Sequence, residues 1–201
     1  MPAGNALLIF IKNPEKGKVK TRLARTLGDD QALEIYLRLL KHTRTVSQQV
    51  DSKRYLYYSQ FINQQDDWSN EAFEKRIQAS GNLGNRMEAA FREHLSDHHK
   101  VLIIGSDCAQ IRSHHLQEAF ELLDHHSVVI GPAKDGGYYL LGMNARHDFL
   151  FESMPWSQDN LLEQTLKKLK EQSVSYELLS ALSDVDTEAE WKAYGASYVL
   201  G

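Results

Sequence analysis

The stretch Val101–Cys108, VLIIGSDC, constrains the fold more than any other part of the chain. Four apolar residues run unbroken and three of them are β-branched, which predicts a central strand buried on both faces. The run ends on Gly105-Ser106-Asp107, so a carboxylate stands at the strand's C-terminal edge, where open α/β sheets bind their ligands. Asp107 is therefore a candidate ligand for a divalent cation shared with substrate phosphates. It is equally a helix-capping residue after a strand.

Strand and helix patterns alternate along the rest of the chain. Expected strands are Ala6–Ile11, Arg54–Tyr58, Arg76–Ala79, Val101–Gly105, Ser127–Ile130, Tyr138–Met143 and Val174–Leu178. Expected helices are Val19–Leu27 closed by Gly28, Gln31–Val50, Trp68–Lys75, Leu83–Leu95, His114–Leu123 capped by Ser113, Asn160–Glu171 and Thr187–Tyr194. This alternation predicts a three-layer α/β sandwich around a mostly parallel sheet, and the Gly136-Gly137 turn predicts one antiparallel departure from it. No internal repeat or low-complexity linker interrupts residues 1–201, so the chain is expected to form one domain.

Bulk properties narrow the function. A net charge of −4 argues against a dedicated nucleic-acid binder. Cys108 is the single cysteine, which excludes an internal disulfide and a cysteine-based zinc site and fits a reducing cytoplasm. It has no local His or Asn signature of a nucleophile. The apolar run Ala6–Ile11 is far too short to span a bilayer and lacks the layout of a secretory signal. The histidine pairs His98-His99, His114-His115 and His125-His126 are poor metal ligands, because adjacent residues cannot both face one site.

Four motifs carry candidate chemistry. From Lys12 to Leu23 a strand runs through a loop broken by Pro14 and Gly17 into a helix, with Lys12, Lys16, Lys18, Lys20 and Arg22 along it. Free N–H groups and charge-assisted bonds there suit phosphate oxygens; a solvated basic face is the other explanation. The loop is neither a Walker A nor a Gly-x-Gly-x-x-Gly sequence. In Gly131–Gly142, Gly136 and Gly137 let the backbone approach a ligand, Lys134 and Asp135 offer polar contacts, and Tyr138 could shape a small-molecule pocket. A β-hairpin with an Asp-Gly turn is the alternative. Asp184-Val185-Asp186-Thr187 brings two acids to a loop-to-helix junction, either to join Asp107 on a metal or, with Glu188, to favour the final helix's N-terminus. Pro155-Trp156-Ser157 is a rigid turn that lines a pocket or anchors the core.

In this order and spacing the motifs resemble the bacterial proteins of domain-of-unknown-function class 2064, also called radical-SAM/selenodomain-associated transferase 1. These belong to the glycosyltransferase A-like (GT-A) nucleotide-diphospho-sugar transferase superfamily. The resemblance is carried by Lys12–Leu23, Gly81–Met87 (GNLGNRM), Ile104–Cys108, Gly131–Gly142, Pro155–Ser157 and Asp184–Thr187. It implies a Rossmann-like three-layer α/β/α sandwich with a mixed sheet that binds a nucleotide or nucleotide-sugar, a small-molecule acceptor and Mg²⁺ or Mn²⁺. Molybdenum-cofactor and phospholactate guanylyltransferases are cousins. Transferred onto this chain, Lys12, Lys20, Arg22 and Arg86 would hold the nucleotide phosphates, and Asp107 and Asp186 the metal. Gly136, Gly137, Tyr138 and Trp156 would shape the substrate pocket, with Asp135 a base for an acceptor hydroxyl. The chain departs from the family pattern at Ala109, where proline is usual, and at Glu15-Lys16-Gly17, which replaces a second loop proline. It also lacks a Gly-Gly-x-Ser-x-Arg-x-Gly loop, which favours a glycosyltransferase over a pyrophosphate-releasing nucleotidyltransferase. A non-catalytic nucleotide-binding module is the third possibility.

Overall fold

The computed structural model describes residues 4–195. Its strands are β1 (Asn5–Ile11), β2 (Lys53–Tyr58), β3 (Glu74–Ile77), β4 (Lys100–Ile104), β5 (Val128–Pro132), β6 (Tyr138–Met143) and β7 (Tyr176–Leu178). The helices are α1 (Thr21–Leu27), α2 (Asp29–Gln48), α3 (Leu83–His94), α4 (Ser113–Leu122), α5 (Leu161–Glu171) and the single turn α6 (Glu188–Glu190). The strands form one sheet in the order β3-β2-β1-β4-β6-β5-β7. Only β6 runs against its neighbours, pairing antiparallel with β4 and β5, which is the expected departure at the Gly136-Gly137 hairpin.

Both faces of the central strands are covered, which explains their unbroken apolar sequences. Leu7, Ile9 and Ile11 of β1 pack with Tyr36 and Leu40 of α2 and Leu116 and Phe120 of α4. Their alternates Ala6, Leu8 and Phe10 pack on the other face with Met87 and Phe91 of α3 and Leu169 of α5. The architecture is thus the expected three-layer α/β/α sandwich, of the Rossmann-like type. No helix among the described residues is long and apolar enough to cross a membrane.

The structure corrects several local expectations. Residues Trp68–Lys75 are not helical. Asp66 Oδ1 accepts from Trp68 N at 3.0 Å and from Lys75 Nζ at 2.7 Å, folding the segment into turns. Trp68 then packs edge-to-face on Phe73, and Glu74 starts a strand paired with β2. Helix α1 begins at Thr21 rather than Val19, because Val19 is buried in the loop and Lys20 adopts a left-handed backbone (φ 47°, ψ 43°). Arg112 precedes α4 and Ser113 is its first helical residue, with His115 Nδ1 accepting from Arg112 N at 3.0 Å. The final helix is one α-turn continued by a π-turn over Trp191–Gly195.

Candidate active site

Three loops meet beyond the C-terminal edge of the sheet. The segment after β7 is laid across that edge by backbone bonds from Leu182 N to Pro132 O (3.0 Å), Lys134 N to Leu182 O (2.9 Å) and Val185 N to Asp107 O (2.9 Å). Val185 is fully buried in a small cluster with Leu23, Leu39 and Ala109. Side chains alternate sides along an extended segment, so an inward Val185 leaves Asp184 and Asp186 outside this cluster. The helix cap is made instead by Thr187 and Glu190, whose Oε2 accepts from Asp186 N and Thr187 N, both at 2.8 Å. Neither aspartate carboxylate is consumed in capping.

Lys20 arrives from the β1 loop and bridges the acids. Its Nζ lies 2.6 Å from Asp107 Oδ1 and 3.2 Å from Asp186 Oδ1, and Arg22 Nη1 lies 3.5 Å from Asp186 Oδ2. The Lys20 side chain is 3% exposed, against 43% for Asp107 and 38% for Asp186. Burial works to lower the Lys20 pKa, but the Asp107 and Asp186 carboxylates outweigh it and hold the pKa above the usual value. Asp184 responds in the opposite sense. Burial and the adjacent Asp107 charge push it up to about 7, against the opposing pull of Lys20. In the sequence Asp184 is one of the two acids of the Asp184–Thr187 motif, with Asp186 the one assigned to the metal; the structure sets Asp184 apart by its burial beside Asp107.

The loops are fixed from below by groups the sequence pattern hid. Tyr36 occupies an apolar position of α2, yet its hydroxyl accepts from Lys12 N (2.9 Å), donates to Lys12 O (3.0 Å) and lies 3.3 Å from Ser106 Oγ. It ties the β1 loop to the residue preceding Asp107. Asn13 binds the β2 loop, accepting from Gln60 N at 3.0 Å and donating to Phe61 O at 2.7 Å. At Ala109, where the resemblance leads one to expect proline, Arg112 Nη1 donates to Ala109 O (3.0 Å) and Ile111 O (2.8 Å), holding the turn by side-chain bonds.

The other expected residues are placed as follows. Lys12 is exposed on the β1 loop. Arg86 donates from Nε to Gly81 O at 2.9 Å and from Nη1 to Gln78 Oε1 at 3.4 Å, while Gln78 Nε2 reaches Ile11 O and Tyr57 O, both at 3.0 Å. Arg86 thus braces the loop before α3. Asp135 is exposed, its Oδ1 accepts from Gly137 N at 3.0 Å, and its charge acts on Asp184. Gly136 has φ +90°, and a Cβ there would fall 1.7 Å from Asp159 O; the close approach is to the protein's own backbone. Gly137 completes the hairpin turn into β6, and Tyr138 packs against the α3/α5 side of the core. Trp156 stacks on Phe151 and lies so close to Gly84 that a Cβ there would be 2.2 Å from its Nε1. Cys108 is buried and its thiol is pushed up to about 12, chiefly by burial.

Among the described residues no three His, Cys, Asp or Glu side chains form a ready metal cluster. Two converging carboxylates nonetheless suit a hard cation that takes its remaining ligands from phosphate and water.

The chain matches the family described as "uncharacterized protein conserved in bacteria" (DUF2064) over residues 41–158, more than half its length. It belongs to the DUF2064 family. The matched stretch contains Asp107 and Gly136–Tyr138. The DUF2064 chain is 24% identical over 166 residues to a 2-phospho-L-lactate guanylyltransferase of Methanocaldococcus vulcanius, covering 82% of this chain and 74% of that protein. A crystal structure from Desulfovibrio desulfuricans G20, described as a nucleotide-diphospho-sugar transferase, superposes with a TM-score of 0.84 at 27% identity. The match covers 91% of this chain and 82% of that one. The inositol-1-phosphate CTP transferase of T. maritima shares the fold with a TM-score of 0.61 at 15% identity, covering 94% and 93% of the two chains.

Proposed function

We propose that this DUF2064 protein is a nucleotidyltransferase that joins the nucleotidyl part of a nucleoside triphosphate to a small acceptor and releases pyrophosphate. The observation that carries this is the convergence of Lys20, Asp107 and Asp186 beyond the sheet edge. The guanylyltransferase relative supports nucleotidyl over glycosyl transfer, against the leaning from the sequence. An acceptor oxygen forms a bond to the α-phosphorus as the bond to the bridging oxygen breaks, and pyrophosphate leaves with that electron pair. The site must therefore stabilise negative charge spread over phosphate oxygens. Lys20 and the exposed Lys12 on the β1 loop and Arg22 in the first turn of α1 supply positive charge, and Arg86 braces the loop before α3. Asp107 and Asp186 would hold Mg²⁺ or Mn²⁺, which when bound neutralises charge on the phosphates. Asp135 is the proposed base for a hydroxyl acceptor; a phosphate or carboxylate acceptor has no proton to lose, and then Asp135 has no such task. Gly136, Gly137, Tyr138 and Trp156 serve as the packed frame of the acceptor side within one domain spanning the chain.

Glycosyl transfer is the second reading, favoured by the likeness to the Desulfovibrio protein. Incubation with nucleoside triphosphates, nucleotide-sugars and candidate acceptors separates the two. Pyrophosphate release is expected. Nucleoside diphosphate release from a nucleotide-sugar would replace the proposal with glycosyl transfer. Nucleotide stabilisation that is independent of metal and survives Asp107→Ala would reduce the protein to a binding module.

A further inference from the structure

We propose that Lys20 is a built-in competitor for the divalent cation, so that the ion binds well only together with a polyphosphate that draws the ammonium away. This rests on reading Asp107 and Asp186 as the cation's ligands. Lys20 Nζ bonds one oxygen of each carboxylate, at 2.6 and 3.2 Å. The ammonium is buried while both carboxylates face solvent, so the lysine contacts them from the protein side. Its backbone is in the left-handed region, φ 47°, just before the first turn of α1.

Charge makes the competition effective. Lys20 and the Arg22 guanidinium at 3.5 Å balance the charge of the two carboxylates they contact, which weakens the pull of these ligands on an approaching cation; Asp135 and Asp184 stand nearby but outside these contacts. A polyphosphate gives Lys20 other oxygens to bind. Released from the ammonium, Asp107 and Asp186 have their oxygens free for the ion. Cation and polyphosphate then strengthen each other's binding by the same factor, as linkage requires. Order follows as well: the ion alone does not hold the site, and a nucleotide or pyrophosphate recruits it.

The test measures Mn²⁺ binding to the full chain by water-proton relaxation, which separates protein-bound ion from ion chelated in solution, with inorganic pyrophosphate as the polyphosphate probe. Wild type is expected to bind Mn²⁺ weakly alone and at least about tenfold more tightly with pyrophosphate, equivalent to about 1.4 kcal/mol. Lys20→Met is expected to bind Mn²⁺ alone about tenfold more tightly than wild type and to gain little from pyrophosphate. Lys20→Arg, which keeps the charge, stays close to wild type. Thermal unfolding covers the case of a poorly folded variant: Mn²⁺ should raise the midpoint of Lys20→Met more than that of wild type. If Lys20→Met binds Mn²⁺ no more tightly than wild type, and Asp107→Asn still weakens binding, the competitor role is overturned while the ligand assignment stands. If neither Asp107→Asn nor Asp186→Asn alters Mn²⁺ binding, the ligand assignment falls and the competitor role with it.

Discussion

Replacing Asp184 by asparagine should stabilise the protein most at pH 8, by roughly a third as much at pH 5, and hardly at all below about pH 4. In the folded protein this carboxyl lies at about 7, against an ordinary 3.8, because burial and Asp107 disfavour its charged form. Between those values the folded state keeps a proton that the unfolded chain has lost. Folding stability therefore falls as pH rises from about 4 to about 7, and the loss is complete above the folded value. The full gap corresponds to about 4 kcal/mol at about 1.36 kcal/mol per pH unit. Water reaches part of the side chain and Lys20 can adjust, so about 2 kcal/mol is the expected effect. Asparagine has nearly the shape of the protonated acid and carries no charge at any pH. For a chain of this size that is a rise in melting temperature of about 4–8 °C at pH 8. The assay is thermal unfolding of both proteins across pH 3.5–8, read as the difference between them so that other titrating groups largely cancel. Parallel curves, with the same difference at both ends, would refute the reasoning.

Three further outcomes follow from the same geometry. Gly136→Ala should cost at least about 2 kcal/mol in chemical denaturation, since it combines positive φ with a collision against Asp159 O; a change within about 0.5 kcal/mol would contradict the packing. Tyr36→Phe removes the hydroxyl that joins Lys12 to Ser106, and should cost about 1–3 kcal/mol and weaken nucleotide binding measured by calorimetry; unchanged affinity would show that the two loops hold their positions without it. Cys108 should resist a thiol-specific reagent at pH 8 until the protein unfolds, because it is buried with its thiol pushed up to about 12; rapid modification of native protein would contradict that placement.

The central sheet was legible because fully buried strands such as Val101–Ile104 need unbroken apolar runs, and because glycines mark the β5–β6 hairpin. The segment Trp68–Lys75 was not. Its aromatic residues Trp68 and Phe73 are buried, and the turn bonds to Asp66 together with the non-local pairing of β3 with β2 override a weak helical pattern. At the site, Asp107, Asp186 and Lys20 could be picked out as polar residues next to strand and helix ends. That they meet depends on the crossing of Leu182–Asp186 over the edge, which only tertiary structure reveals. The raised carboxyl of Asp184 and the loop-tying hydroxyl of Tyr36 both depend on residues distant in sequence, Asp107 and Lys20 for one and Lys12 and Ser106 for the other, so neither role shows in the local pattern. Trp156 and Gly136, read from the sequence as pocket residues, have packing contacts in the structure, against Gly84 and Asp159.

The most direct measurement of the central claim is a crystal structure with Mn²⁺ and a nucleoside triphosphate, collected at a wavelength where manganese scatters anomalously. The account predicts one anomalous peak within bonding distance of Asp107 and Asp186 and of the nucleotide phosphates, with Lys20 moved onto a phosphate oxygen. A nucleotide bound elsewhere, or a manganese peak away from both aspartates with the Lys20 ion pairs intact, would contradict it.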